Sequence, residues 1–349
     1  MENIALNNTV YSRDLIDWLM KSAEEGNVEA QCSLGSCYFE GRGVTQDYKQ
    51  AVNWFTKAAE KSYAEAQHRL GVCYFEGRGV VQDYKQAVYW YTKAAEQGDM
   101  NAECTLGFCY FRGLGVVQEY KQAVVWFIKA ANQGSAMAQK NLGLCYSRGI
   151  GVTQDHTQAV YWYTKAANQG DADAQFSLGF YYSKGIGVTQ DHTQAVYWYT
   201  KAAEQGNDIA QFNLGFYYSK GNIGVVQDHK QAVNWYTKAA NQGNDIAQYN
   251  LGLCYFEGRG VTQDYKQAVA WFIKAANQGD HYAQNNLGVC YYNGFGVAQD
   301  YKQAVYWYTK AANQGNTTAQ NNLGSCYSFG HGVEQDQKQA LKWFTKATE

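Results

Sequence analysis

The residues of this sequence best suited to chemistry are three histidines that share one recurring slot, His156, His192 and His229, and seven cysteines that share another: Cys37, Cys73, Cys109, Cys145, Cys254, Cys290 and Cys326. Together they suggest a metal. Zinc, however, takes imidazole nitrogen or thiolate sulfur at about 2.0–2.3 Å. Residues that recur once per structural unit cannot converge so closely, because equivalent points on packed helices lie roughly 8–10 Å apart. The three histidines stand where other units carry Tyr48, Tyr84, Tyr120, Tyr265 and Tyr301, which predicts a structural Tyr/His exchange. The cysteine slot is filled by Tyr181 and Tyr217 in two units, so it asks for a buried side chain and not for a thiol. Free cysteine packs as a small hydrophobe. A disulfide scaffold would not give up two partners to tyrosine, and the nine cysteines are an odd number. Reduced thiols and a cytoplasmic location are therefore expected.

Other candidates for chemistry fail on the same ground. Gly41-Arg42-Gly43-Val44 could pass for a phosphate loop, but its pattern recurs nine times and follows a helix, which makes it a turn. His68, His281 and His331 are scattered singletons, and Glu24-Glu25 is a surface pair. No nucleophile has a base at a recognisable spacing. A catalytic constellation must be single, so no catalytic residue, cofactor or metal site is expected, and the chain reads as a non-enzyme. A hydrolase of cell-wall fragments would require convergent acidic residues that break the repeat, and none is visible.

What positions all these residues is a repeat. The pair Leu34-Gly35 returns at Leu70, Leu106, Leu142, Leu178, Leu214, Leu251, Leu287 and Leu323, at a period of 36 residues with one step of 37 where Asn222 is added. All ten tryptophans share one slot, from Trp18 to Trp343, and the 35 glycines fall in four slots, with Ser62 in place of a thirty-sixth. A fixed period of this size marks stacked supersecondary units, none able to bury its apolar face alone.

In the unit that starts at Asn27, that residue caps a helix burying Ala30, Leu34, Cys37 and Tyr38 on one face. Gly35 in mid-helix costs about 1 kcal/mol against alanine, which implies the close approach of another helix. Gly41 and Gly43 end the helix. Asp47 caps a second one, and Gln50 three residues on completes a capping-box pattern. The second helix buries Ala51, Val52, Trp54, Phe55 and Ala58. The sequence has no proline, which fits unkinked helices but leaves the loops without their usual stiffener. The organisation read from this is an irregular lead-in at 1–12, a capping half-repeat at 13–26, and nine repeats at 27–349 forming one domain.

Leu34, Gly35 and Tyr38 followed by Ala51 and Phe55 are similar to the tetratricopeptide pattern, but with a longer period and loop. Ala-x-Ala-Gln-x-x-Leu-Gly-x-x-Tyr, then Gly-x-Gly-Val-x-x-Asp, then Ala-x-x-Trp and Lys-Ala-Ala resembles the Sel1-like repeat over about residues 13–349. Where that repeat commonly has proline after Gly-Val, this chain has Thr45, Val81, Val117, Thr153, Thr189, Val226, Thr262, Ala298 and Glu334. The resemblance implies an all-α, right-handed superhelical solenoid. It also implies a protein-binding adaptor or scaffold, or an immunity protein that sequesters a toxic effector, with the first helix of each pair lining a concave face.

Binding in such an array resides in the side chains that vary. On the first helices, two slots turn aromatic together in mid-array, at Phe176 with Phe180 and Phe212 with Phe216, followed by Tyr249 with Leu253. A third slot becomes serine there, at Ser147, Ser183 and Ser219. The neighbouring slot changes from Glu40 and Glu76 to Arg112, Arg148, Lys184 and Lys220, and Lys140 adds a further cation. The predicted partner-binding groove therefore comprises Lys140, Arg148, Phe176, Phe180, Lys184, Phe212, Phe216, Lys220, Tyr249 and Leu253. Its expected partner is a protein that offers a peptide or an acidic or aromatic loop. The competing expectation is that the rings are buried between adjacent first helices. Tyr89, Tyr161, Tyr197 and Tyr306 form a lesser candidate on the second helices.

A net charge of −2 gives no field for nucleic acid or anionic membrane. No apolar run of 18 residues and no signal peptide are visible. A monomer is expected, with end-to-end self-association through Asp14–Glu24 and Ala340–Thr348 as the alternative.

Overall fold

The computed structural model describes residues 13–221 and 224–348. The lead-in and the added Asn222 lie outside them. Contacts cluster in two compact units, Met1–Asp171 and Ala172–Glu349, divided in sequence at a repeat boundary. The described residues of the first unit form α1 (Arg13–Glu24), α2 (Val28–Glu40), α3 (Tyr48–Glu60), α4 (Ala64–Glu76), α5 (Tyr84–Glu96), α6 (Met100–Arg112), α7 (Tyr120–Asn132), α8 (Ala136–Arg148) and α9 (His156–Asn168). Those of the second form α10 (Ala172–Lys184), α11 (His192–Glu204), α12 (Asp208–Lys220), α13 (His229–Asn241), α14 (Asp245–Glu257), α15 (Tyr265–Asn277), α16 (His281–Asn293), α17 (Tyr301–Asn313), α18 (Thr317–Phe329) and α19 (Gln337–Lys346). Among the described residues there is no strand. Within each unit every helix packs against the one before it and the one after it, which is the packing of a solenoid.

The local chemistry follows the repeat. Asn27 Oδ1 accepts a hydrogen bond from the Ala30 amide at 2.7 Å and so caps α2. Gly41, with φ +73°, closes the helix in the left-handed conformation. Asp47 Oδ1 accepts from the amides of Lys49 and Gln50. The capping box is only half made, because the Asp47 amide donates to the Tyr38 carbonyl at 2.9 Å and leaves the Gln50 side chain no role there. The same bond recurs from Asp83 to Tyr74 and from Asp264 to Tyr255. It ties each loop to the helix before it. A second tie is the loop glutamine: Gln46 Nε2 donates to the Phe39 carbonyl at 2.9 Å, and Gln263 to Phe256 at 2.8 Å. These two bonds give the loop the fixed path that proline would otherwise supply.

The mid-helix glycine is explained by contact. A Cβ on Gly35 would stand 2.7 Å from the Phe55 ring, and one on Gly71 2.6 Å from Tyr91. Leu34, Phe55, Ala51 and Ala58 are wholly buried around this crossing. All nine cysteines are free and buried, and burial pushes the Cys73 and Cys290 thiols up to about 12, which makes them inert packing groups.

A buried glutamine ladder couples neighbouring repeats. Gln67 Nε2 donates to the Ala59 carbonyl at 3.0 Å on the preceding helix, while its Oε1 accepts from Gln97 at 2.8 Å. One side chain thus spans α3, α4 and the end of α5. The first rung is incomplete: Lys61 stands where Gln97 stands later, and its Nζ reaches the Gly26 carbonyl at 2.8 Å, leaving Gln31 Oε1 without a partner. The third rung carries Glu103, which accepts from Gln133 at 2.8 Å but as a carboxylate cannot donate as the glutamines do. Burial raises its carboxyl above the usual range. A glutamate that binds its proton more tightly when folded stabilises below its unfolded pKa, and that contribution is lost as pH rises through the folded value. Glu103→Gln is therefore expected to raise stability at pH 7 by about 1 kcal/mol. The gain should shrink as pH falls toward 4, as read by urea denaturation at the two pH values. An equal gain at both would contradict the argument.

Candidate functional site

The first helices carry their variable side chains in two environments. In the slot nearer the helix start, Phe176 is half-buried with its ring 5.9 Å from Tyr199, and Phe212 lies 6.1 Å from Tyr236. Tyr249 likewise packs 6.1 Å from Phe272 and 5.9 Å from Tyr282. Each of these rings rests on the second helix of its own repeat, and Tyr249 also touches Tyr282 of the next. One turn later the rings stand out: Phe180 is 41% exposed and Phe216 is 42% exposed. Lys184 and Lys220 follow them by a further turn and are exposed. Leu253, in the same slot as Phe216, is half-buried. The predicted aromatic pairs are thus split, one ring packed and one ring presented.

Lys140 and Arg148 belong to the first unit. Lys140 is half-buried with its Nζ 3.4 Å from an Asp171 carboxylate oxygen, and Arg148 is exposed.

Four of the predicted residues come together. Phe216, Lys220, Tyr249 and Leu253 line one cavity of about 580 Å³ in the second unit, where α12 also touches α14. Its remaining wall includes Ser219, His229, Tyr236, Arg259 and Tyr282. Of these, Tyr236, Arg259 and Tyr282 escaped the sequence reading. Arg259 sits in the glycine loop, in the slot of Arg42 and Arg78, and a residue that recurs does not announce a site. Tyr236 donates to the Ser219 hydroxyl at 3.3 Å.

The histidines at the start of the second helices behave differently from one another. His192 Nδ1 lies 3.0 Å from the Tyr217 hydroxyl of the next repeat. His229 instead faces the cavity. Among the described residues, no group of three or more His, Cys, Asp or Glu is placed to hold a metal ion, and no helix is long and apolar enough to cross a membrane.

Stacked helix pairs with a repeated core and variable first-helix side chains define a tandem-repeat protein of the tetratricopeptide-like class. The Sel1 repeat pattern matches residues 28–63, 64–99, 101–135, 136–171, 172–207, 208–244, 245–280, 281–316 and 317–349, and the chain belongs to the Sel1 repeat family. It is similar to a protective antigen from uropathogenic Escherichia coli strains that displays an SLR fold. The two are 43% identical over 96% of this chain and 72% of that one, with a TM-score of 0.86. A Sel1 repeat protein from Oxalobacter formigenes is 37% identical over 89% of each chain, with a TM-score of 0.64. The immunity protein Pa5087 from Pseudomonas aeruginosa is 21% identical over 61% of this chain and 81% of its own, with a TM-score of 0.37, too distant to bear on function. Comparison with curated proteins finds no match. The Sel1 repeat is a protein-interaction module, and the family generally serves as a scaffold.

Proposed function

We propose that this chain is a non-catalytic adaptor that binds a partner protein through the face lined by its first helices in the second unit. The observation that carries this reading is the pair Phe180 and Phe216, each about two-fifths exposed and each followed one turn later by a lysine. Packing does not require either ring to stand in water, since valine, leucine or serine fills the same slot in other repeats. Exposed aromatic rings flanked by cations are typical anchors at protein interfaces. The partner they suit offers apolar side chains beside acidic ones.

The test is affinity capture from the native cell with the full chain as bait, compared with a Phe180→Ala, Phe216→Ala, Lys184→Ala triple variant of unchanged helicity. A partner retained by the parent chain should be lost by the variant, with affinity reduced at least about tenfold. Retention of the same partner by both would refute the reading. Phe176 and Phe212 make poor controls, because they are packed on Tyr199 and Tyr236.

A further inference from the structure

The cavity beside Phe216 has a cause that can be followed residue by residue. In most repeats an aromatic residue near the end of the first helix packs edge-on against the tyrosine that opens the second. The ring centroids of Phe39 and Tyr48, Phe75 and Tyr84, and Phe256 and Tyr265 are 5.1–5.3 Å apart. The loop of the following repeat then covers the pair. Arg78 lies 5.2 Å from the Phe39 ring, Phe295 stacks 5.0 Å from Tyr265, and His331 stacks 4.8 Å from Tyr301.

In mid-array, where serine replaces the aromatic residue, histidine replaces the tyrosine, as at Ser183 with His192 and Ser219 with His229. The smaller pair leaves a hollow. At Ser183 and His192 the hollow is filled from the next repeat, because Tyr217 occupies the usual cysteine slot and bonds both residues. At Ser219 and His229 it is not filled. The next repeat returns to cysteine, Cys254, which is too short to reach, and its loop returns to arginine, Arg259, with no aromatic pair beneath it. Serine runs through three consecutive repeats, at Ser147, Ser183 and Ser219, but the tyrosine that fills from the following repeat comes only twice, at Tyr181 and Tyr217, and the cavity is the consequence.

The chemistry of the wall is one-sided. In charge, Lys220 and Arg259 face the space and no Asp or Glu lines it; His229 and the Asn250 amide add polar groups, while the Ser219 hydroxyl is spent, donating to the Phe216 carbonyl at 2.9 Å and accepting from Tyr236. Glu257 pairs with one guanidinium nitrogen of Arg259 from outside it. Among the described residues no ion pair involves Lys220 or His229. Phe216, Tyr249 and Leu253 form the apolar flank.

We infer that this cavity is an anchor site for an acidic side chain of a partner protein, its carboxylate set between Lys220 and Arg259 and an adjoining apolar residue against Phe216 and Tyr249. This rests on the protein-binding reading above and names the feature of the partner that the face selects. A carboxylate between the two cations gains charge-assisted hydrogen bonds, and the volume holds one such side chain with an apolar neighbour but not a folded element.

The probe is a capped tetrapeptide with glutamate followed by phenylalanine at its centre, titrated into the full chain while the histidine ring resonances are followed by NMR. The His229 signal, assigned with His229→Gln, should move saturably while those of His68 and His331 stay fixed. The peptide with glutamine in place of glutamate should bind at least tenfold more weakly. Cys254→Tyr, which reproduces the filling seen at Tyr217, should lower affinity at least tenfold, and so should the surface variant Arg259→Gln, which spares the core. Absence of a saturable His229 shift, equal binding of the glutamine peptide, or full binding by both variants would overturn the inference. If the peptide fails while Phe180→Ala still abolishes capture of the partner, the acidic anchor falls and the protein-binding reading stands. If capture survives Phe180→Ala and the triple variant alike, that reading falls as well.

Discussion

Alanine at Gly260 is expected to destabilise the seventh repeat by about 3 kcal/mol or more, while alanine at Gly279, in the same repeat, should cost about 1 kcal/mol. Both glycines have positive φ, +76° and +105°. The difference lies in what surrounds them. A Cβ on Gly260 would stand 2.2 Å from the His229 carbonyl oxygen, backbone against backbone, at the start of α13 in the preceding repeat. Neither side can yield without lifting the loop off its neighbour. A Cβ on Gly279 meets nothing within 4 Å, so only the conformational strain remains. Gly252→Ala is an intermediate case. Its Cβ would meet the Phe272 ring at 2.6 Å, an overpacking of about 1–3 kcal/mol, partly offset by the roughly 1 kcal/mol that alanine gains over glycine inside a helix. Hydrogen exchange of the amides of α14 and α15 gives the three local stabilities in one set of measurements. The expected order of damage is Gly260, then Gly252, then Gly279. A Gly279 variant as damaged as the Gly260 variant would mean that the loops do not carry the contact between repeats.

The series also marks what the sequence makes legible. The 36-residue recurrence of Leu34-Gly35 is enough to fix the helix pairs, and Gly35 in mid-helix is enough to demand a close neighbour, because only contact justifies its propensity cost. Asp47 as a cap is equally plain. Gln50 as its reciprocal partner was a reasonable inference from spacing, yet the Asp47 amide is taken by Tyr38, a residue nine positions earlier that no local pattern singles out. The role of Gln67 was invisible for the same reason, since it joins three helices through bonds that reach eight residues back and 30 residues on. The cavity at His229 lay deeper still. It depends on three slots drawn from two repeats, Ser219 and His229 from one and Cys254 from the next, and on the unequal runs of two exchanges that each look innocent alone. Variation within a slot can be read from a sequence. A mismatch between slots becomes visible only once the stacking says which slots touch.

That distinction leads to a prediction about the aromatic pairs. Phe212→Ala is expected to lower stability by about 2–4 kcal/mol, toward the range for a buried phenylalanine, because the ring packs against Tyr236 and the core around Ala239 and Leu251. Phe216→Ala, four residues on, should change stability by no more than about 0.5 kcal/mol, as exposed side chains do. For the partner the order should reverse. Loss of the Phe216 ring removes an anchor and should weaken binding by about tenfold or more. Loss of Phe212 should leave affinity nearly unchanged at temperatures where the variant remains folded. Hydrogen exchange across α12 gives the first quantity, and titration of the captured partner gives the second. The same contrast should hold for Phe176 against Phe180, since Phe176 packs on Tyr199 as Phe212 packs on Tyr236. If instead Phe212→Ala weakens binding as strongly as Phe216→Ala at full helicity, the packed rings belong to the interface too. The two slots would then act as one surface, and the division between scaffold and anchor would have to be drawn elsewhere along the helix.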